Sequence, residues 1–233
     1  MKVIGIIGPM EEEIQILKEE MTIHEIKNIA NMEFYIGCLE NQAIVLVRCG
    51  IGKVNAAICT QILISEFKVT AVINTGVAGA IHQDLNILDV VISTDVLQHD
   101  FDVTGFGHPL GVIPRMETSI FSASEELLNK AYYASEKVLN NSKVIKGRIV
   151  SGDVFVSSPQ LKDKLWNSFK GYCTEMEGAA IGHTAYVNNI PFVIIRAMSD
   201  KADGSAHENF NEFVNEAANN SKEIVKNMLK QIS

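Results

Sequence analysis

The chain has 233 residues, 20 of them basic and 28 acidic, giving a formal charge of −8. That balance speaks against a nucleic-acid or anionic-membrane binder, which normally carries a basic stripe. With 47% hydrophobic and 21% charged residues the chain has the composition of a globular protein with a large core, and a single domain over 1–233 is expected.

The opening MKVIGIIGPMEEE breaks its apolar run with a proline and three glutamates. The run is too short for a signal peptide or a membrane span, so a cytoplasmic protein is expected. Residues 3–7 read as a strand, and Met10, Ile14, Leu17 and Met21 mark the apolar stripe of a following helix. Further apolar runs at 43–47, 69–73, 89–94, 147–150 and 191–195 are continuous rather than alternating, which predicts strands covered on both faces, as in an α/β sheet. Helical patterns lie at 56–64 and along Phe210, Phe213, Ala217, Ser221, Ile224 and Met228. Residues 98–119 form a long irregular connection, a length uncommon unless functional or packed on a partner. Most strands lead into a polar or glycine-rich tip: GPMEEE, CGIGK, NTGVAG, SGDVF and RAMSD. Ligands of open α/β sheets sit beyond the carboxyl ends of strands, so the tips are where a site is sought.

Cys38, Cys49, Cys59 and Cys173 contain no C-x-x-C pair and sit in or beside apolar segments, which favours reduced thiols over disulfides or zinc. No metal and no cofactor are expected. His99, near Asp100 and Asp102, lacks further ligands at metal spacing and is expected to be exposed or in a loop.

Three segments carry candidate chemistry. At 100° per residue Glu13 falls about 60° from Met10 and about 40° from Leu17, at the edge of the buried stripe, while Glu12 points away. Acidic residues in a first helical turn also suit the helix dipole, which accounts for Glu11 and Glu12. In GYCTEMEGAA, an extended run to Glu177 places Glu175 and Glu177 on one face and Met176 on the other; a solvated turn is the other reading. In PFVIIRAMSD, Arg196 and Asp200 share a face at the end of a central strand. A buried Arg196 requires a carboxylate partner, Glu175 or Glu177, whereas Asp200 is also a plausible helix cap. CGIGK fails the P-loop pattern, TGVAG fails the dinucleotide fingerprint, and G-x-S-x-G and H-E-x-x-H are absent.

GPMEEE, CGIGKVNAA, NTGVAGA, SGDVF, EMEGAA and RAMSD, in this order and over nearly the whole chain, resemble the bacterial 5′-methylthioadenosine/S-adenosylhomocysteine nucleosidases of the nucleoside phosphorylase superfamily. The resemblance implies a three-layer α/β sandwich around a mixed, partly barrel-like central sheet, a purine nucleoside as small-molecule substrate, and a homodimer. It implies Glu13 as the base acting on water and Asp200, oriented by Ser199, as the acid at adenine. Glu177 would hold the ribose with Met176 against the sugar. Phe155 would stack on the purine and the backbone of Val156 read its edge, with Val77, Ala78 and Gly79 beside them. Met10, Ile51, Glu175 and Arg196 are grouped with the substrate site, Phe210 would close over it, and Phe106 and Pro114 would reach the neighbouring subunit's pocket. Val77 stands where many relatives have serine, and Gly178 where many have alanine. A phosphate-dependent phosphorylase is the enzymatic alternative, kept open weakly by Arg48, and a non-catalytic adenosine-binding protein is the other; the latter would lack at least one of Glu13, Glu177 and Asp200.

Overall fold

The computed structural model describes residues 2–139 and 142–232. The chain begins with β1 (Val3–Gly8), α1 (Glu11–Glu20), β2 (Thr22–Ile29), β3 (Met32–Leu39), β4 (Gln42–Arg48) and α2 (Lys53–Ser65). It continues through β5 (Ala71–Ala80), β6 (Val90–Gln98), the short β7 (Phe121–Ser122), α3 (Glu125–Val138), β8 (Val144–Ser151) and α4 (Pro159–Phe169). The last elements are β9 (Cys173–Glu175), α5 (Gly178–Val187), β10 (Phe192–Asp200) and α6 (Ala206–Leu229).

The six apolar runs all become strands, joined in one mixed sheet. Five strands close on themselves: β5 pairs with β10, β10 with β6, β6 with β8, β8 with β9, and β9 returns to β5. From this ring β5 also extends to β1, and the sheet runs on through β4, β3 and β2. Helices α1, α3 and α6 pack together on one side, and α2 with α5 on the other, which completes the three layers. The burial of β1, β5 and β10 follows from this covering; nothing along β10 is exposed.

Local signals set several boundaries. Ser124 and Ser158 cap α3 and α4 by accepting hydrogen bonds from Leu127 N and Leu161 N, and Pro159 opens α4 where its missing N–H costs nothing. The β2–β3 turn places Ala30 and Asn31 at positive φ, as a tight hairpin turn requires. This hairpin is absent from the reading of the sequence because β2 is almost wholly exposed, so it has no apolar run to announce it. Glu25 and Lys27 keep this edge strand charged.

Three expectations are corrected. NTGVAG is not a tip, because β5 continues through it to Ala80. Neither reading of GYCTEMEGAA holds: the extended run stops at Glu175, Glu177 takes the cap position of α5 with φ −133° and ψ −40°, and both carboxylates are buried rather than solvated. Arg196 and Asp200 do not follow simple alternation, since the β10–β5 register shifts between Met198 and Asp200. His99 lies in the turn after β6, as one of the two readings expects, and is buried there. Its ring lies where a side chain at Gly152 would otherwise stand, and burial holds its pKa below the usual histidine value.

Candidate active site

The β1–α1 turn positions Glu13. Met10 ends the turn in extended conformation, and its N–H donates to Glu13 Oε2 at 2.7 Å, so the third residue of the helix reaches back over its own start. The other oxygen accepts from Val77 N at 2.9 Å. Glu13 is buried while Glu12 is exposed, as the helical phase predicts. Gly76 makes room for it: a methyl group there would stand 2.4 Å from Glu13 Oε1 and 3.2 Å from Arg196 Nη1. Burial raises the Glu13 pKa to about 7, outweighing the opposing pull of Arg196 and the two backbone N–H groups.

Asp200 sits at the far end of β10. Its Oδ1 accepts from Ala202 N at 2.8 Å and its Oδ2 from the Ser199 hydroxyl at 2.9 Å. Burial again wins over these bonds and raises its pKa above the ordinary aspartate value. The bulge turns Ser199 and Asp200 to the same cavity, where strict alternation would have separated them. Gly79 gives Asp200 its space, since a methyl group there would lie 2.7 Å from Oδ1. Gly76 and Gly79 are three residues apart on one strand, so Glu13 and Asp200 approach β5 at stations separated by about 10 Å.

Between these stations lies a cavity of about 330 Å³. Val77, Ala78 and Gly79 of β5 line it, with Met176 and Glu177 before α5, and Phe155 and Val156 from the loop after β8. Met10 and Ile51 line its other end, and Phe210 reaches it from α6, edge-on to Phe155 at 6.1 Å between ring centres. Phe155 remains half exposed, so one of its faces is free to stack on a ligand. Glu177 Oε1 accepts from Gly52 N at 2.8 Å. Gly52 has φ of +98°, a conformation that suits glycine alone among ordinary residues. Burial and the neighbouring Glu175 push the Glu177 pKa up.

Glu175 and Arg196 form the base of the site. Arg196 Nη2 donates to Glu175 Oε2 and to Asn74 Oδ1, both at 2.5 Å, and stands 4.0 Å from Glu177 Oε2. Glu175 also accepts from Glu177 N at 3.1 Å and Gly178 N at 2.7 Å, and from the Ser151 hydroxyl. It thereby caps the start of α5 and fixes the backbone that carries Glu177. Arg196, grouped with the substrate site, is fully buried behind Glu175 and is not among the residues that line the cavity. Its partner is Glu175, one of the two carboxylates the sequence offered.

Pro9, Val154, Thr174, His207 and Asn211 also line the cavity and were missed. His207 and Asn211 lie three residues before and one after Phe210 at the start of α6, so the helical period would have found His207 once Phe210 was chosen. Phe106 is 87% exposed, and neither it nor Pro114 lines this chain's own cavity. No group of three or more His, Cys, Asp or Glu side chains suited to a metal occurs among the described residues.

A closed mixed ring with an open sheet extension and an apolar cavity carrying buried carboxylates defines the class, an α/β enzyme of the nucleoside phosphorylase fold. Residues 3–230 match the Phosphorylase superfamily. A 5′-methylthioadenosine/S-adenosylhomocysteine nucleosidase of Staphylococcus carnosus is 46% identical over 230 residues, 98% of this chain and 100% of that protein. The crystal structure of the nucleosidase of that name from Neisseria meningitidis, in complex with methylthio-immucillin-A, is similar with a TM-score of 0.95 and 39% identity over 100% of both chains. Helicobacter pylori futalosine hydrolase is similar with a TM-score of 0.94 and 33% identity, over 99% of this chain and 98% of that one. The chain belongs to the 5′-methylthioadenosine/S-adenosylhomocysteine nucleosidases of the Phosphorylase superfamily.

Proposed function

We propose that this nucleosidase cleaves the N-glycosidic bond of 5′-methylthioadenosine and S-adenosylhomocysteine with Glu13 and Asp200 as its two proton-handling groups. The observation that carries the assignment is the pair of buried carboxylates that line one cavity, each with a raised pKa and each anchored by backbone N–H groups. In the reaction the bond between adenine and C1′ breaks as water oxygen bonds to C1′. Ionised Glu13 takes a water proton, and protonated Asp200 gives one to adenine N7, so the base leaves neutral. Glu177 holds the ribose hydroxyls, and Phe155, Val156 and Phe210 enclose the purine. Val77 contributes its backbone N–H to Glu13, so the lack of a serine hydroxyl there leaves the base in place.

The nucleophile is water and not phosphate. Among the described residues no lysine or arginine lines the cavity, and Arg196 is committed to Glu175 and Asn74; a phosphate monoanion or dianion would lack the cationic clamp it needs. Incubation with 5′-methylthioadenosine should release adenine and methylthioribose at the same rate with and without phosphate. Methylthioribose 1-phosphate as the main product would overturn the assignment.

The whole chain acts as one domain inside the cell, where its free thiols stay reduced, and it works as a homodimer in which Phe106 and Pro114 complete the neighbour's pocket. Exposing Phe106 to 87% on a lone chain costs apolar surface that a partner would cover. Sedimentation at twice the mass of one chain, and a raised KM in Phe106→Ala, support this; a fully active monomer refutes it.

A further inference from the structure

The apolar wall made by Pro9, Met10 and Ile51 has a second side. Beyond it, sharing those three residues, opens a hollow of about 610 Å³ whose other lining includes Glu11, Glu12, Asn31, Arg48 and Asn55. Arg48 ends β4, and Glu11 opens α1, so the sheet edge and the helix start bring opposite charges together: Arg48 Nε is 3.7 Å from Glu11 Oε2. Both side chains are exposed. None of these charged groups has a part in bond cleavage.

We propose that this hollow is the subsite for an α-amino-acid group at the end of a 5′-thio substituent, with Arg48 receiving the carboxylate and Glu11 and Glu12 the ammonium. The proposal rests on the nucleosidase reading and deepens it. A homocysteine tail is apolar beside its sulfur and zwitterionic at its tip. The protein surface changes in the same order, from Met10 and Ile51 to Glu11, Glu12 and Arg48. A lone anion would meet two carboxylates for one guanidinium, whereas a zwitterion presents both signs within the width of one residue. The Arg48–Glu11 contact is exposed and therefore worth little by itself, so a ligand separates the pair at small cost. The planar guanidinium then matches a carboxylate with two parallel N–H groups. A methylthio group ends at the apolar wall and does not reach these charges.

The test compares three nucleosides on the wild-type enzyme and on Arg48→Ala: S-adenosylhomocysteine, 5′-methylthioadenosine and 5′-butylthioadenosine, the last with a tail of similar length and no charge. The ratio of kcat/KM for S-adenosylhomocysteine to that for either uncharged substrate should fall about threefold to tenfold in Arg48→Ala, the range expected of a solvent-exposed charge-assisted contact. Arg48→Lys should restore part of the ratio, and added salt should lower it more in the wild type than in Arg48→Ala. An unchanged ratio, or equal losses on all three substrates, overturns the subsite. Failure of the wild-type enzyme to cleave any of the three overturns the nucleosidase reading and the subsite with it, whereas loss of the subsite alone leaves methylthioadenosine cleavage intact.

Discussion

Replacing Glu13 by glutamine removes the ionisable group and keeps its shape. Folded Glu13 titrates near 7 against an ordinary value of 4.5, because burial disfavours the carboxylate. The raised value means that Glu13 stabilises the empty protein most fully below pH 4.5, and that this contribution is lost as pH rises through about 7. Each pKa unit is worth about 1.4 kcal/mol, so between pH 5 and pH 8 the wild type should lose about 2 to 3 kcal/mol that Glu13→Gln does not. The absolute comparison is less direct, since glutamine has one acceptor for the two N–H groups of Met10 and Val77 and leaves one unpaired. Denaturant unfolding of both proteins at pH 5 and pH 8 isolates the pH-dependent part. With Glu13 as the base, catalysis requires its ionised form, so the acid limb of the wild-type kcat/KM profile should be set by a group near 7, and Glu13→Gln should be almost inactive throughout. Identical pH dependence of unfolding in the two proteins, together with a wild-type acid limb near 4.5, would refute both the burial argument and the assignment of the base.

Asp200→Asn preserves size and removes the donated proton; turnover of 5′-methylthioadenosine should drop about 10² to 10⁴-fold with a much smaller change in KM, while the exposed Asp84→Asn stays near wild type. Near-normal turnover in Asp200→Asn would move the leaving-group role elsewhere. Gly76→Ala places a methyl group 2.4 Å from Glu13 Oε1, where backbone bonds hold the carboxylate on both sides, so kcat should fall by at least tenfold and the thermal midpoint should drop by several degrees, as for other overpacked buried sites. Wild-type kcat in Gly76→Ala would show that Glu13 can move without consequence.

What the sequence made legible follows physical signals that stay local. Glu13 could be told from Glu12 because a helix repeats every 3.6 residues, and the six buried strands because both of their faces are apolar. Asp200 was visible as a carboxylate closing an apolar run. The signals failed where a contact depends on distant chain: nothing near Gly52 shows that its N–H will meet Glu177, and nothing near Arg196 shows that Glu175 rather than Glu177 will take it. NTGVAG looked like a turn because its residues are small. Their size serves close approach instead, leaving space beside β5 for Glu13 and Asp200. The bulge at Ser199 and the exposed strand β2 likewise leave no mark in hydropathy.

The closed ring also bears on the order in which this protein can come into being. Synthesis from the amino end delivers Glu13 and the whole open extension early, but the ring has a gap until β10 slides between β5 and β6. Until then the apolar edges of two central strands are uncovered, Asn74 lacks the guanidinium that fills its acceptor, and Glu175 holds a buried position without its counter-charge. Such long-range closure is slow compared with local helix formation, and an unpaired strand edge invites pairing with another chain. A nascent chain stalled before residue 192 should therefore be the species most in need of a chaperone, and Glu13 and Asp200, one near each end of the chain, come to line one cavity only when the barrel locks.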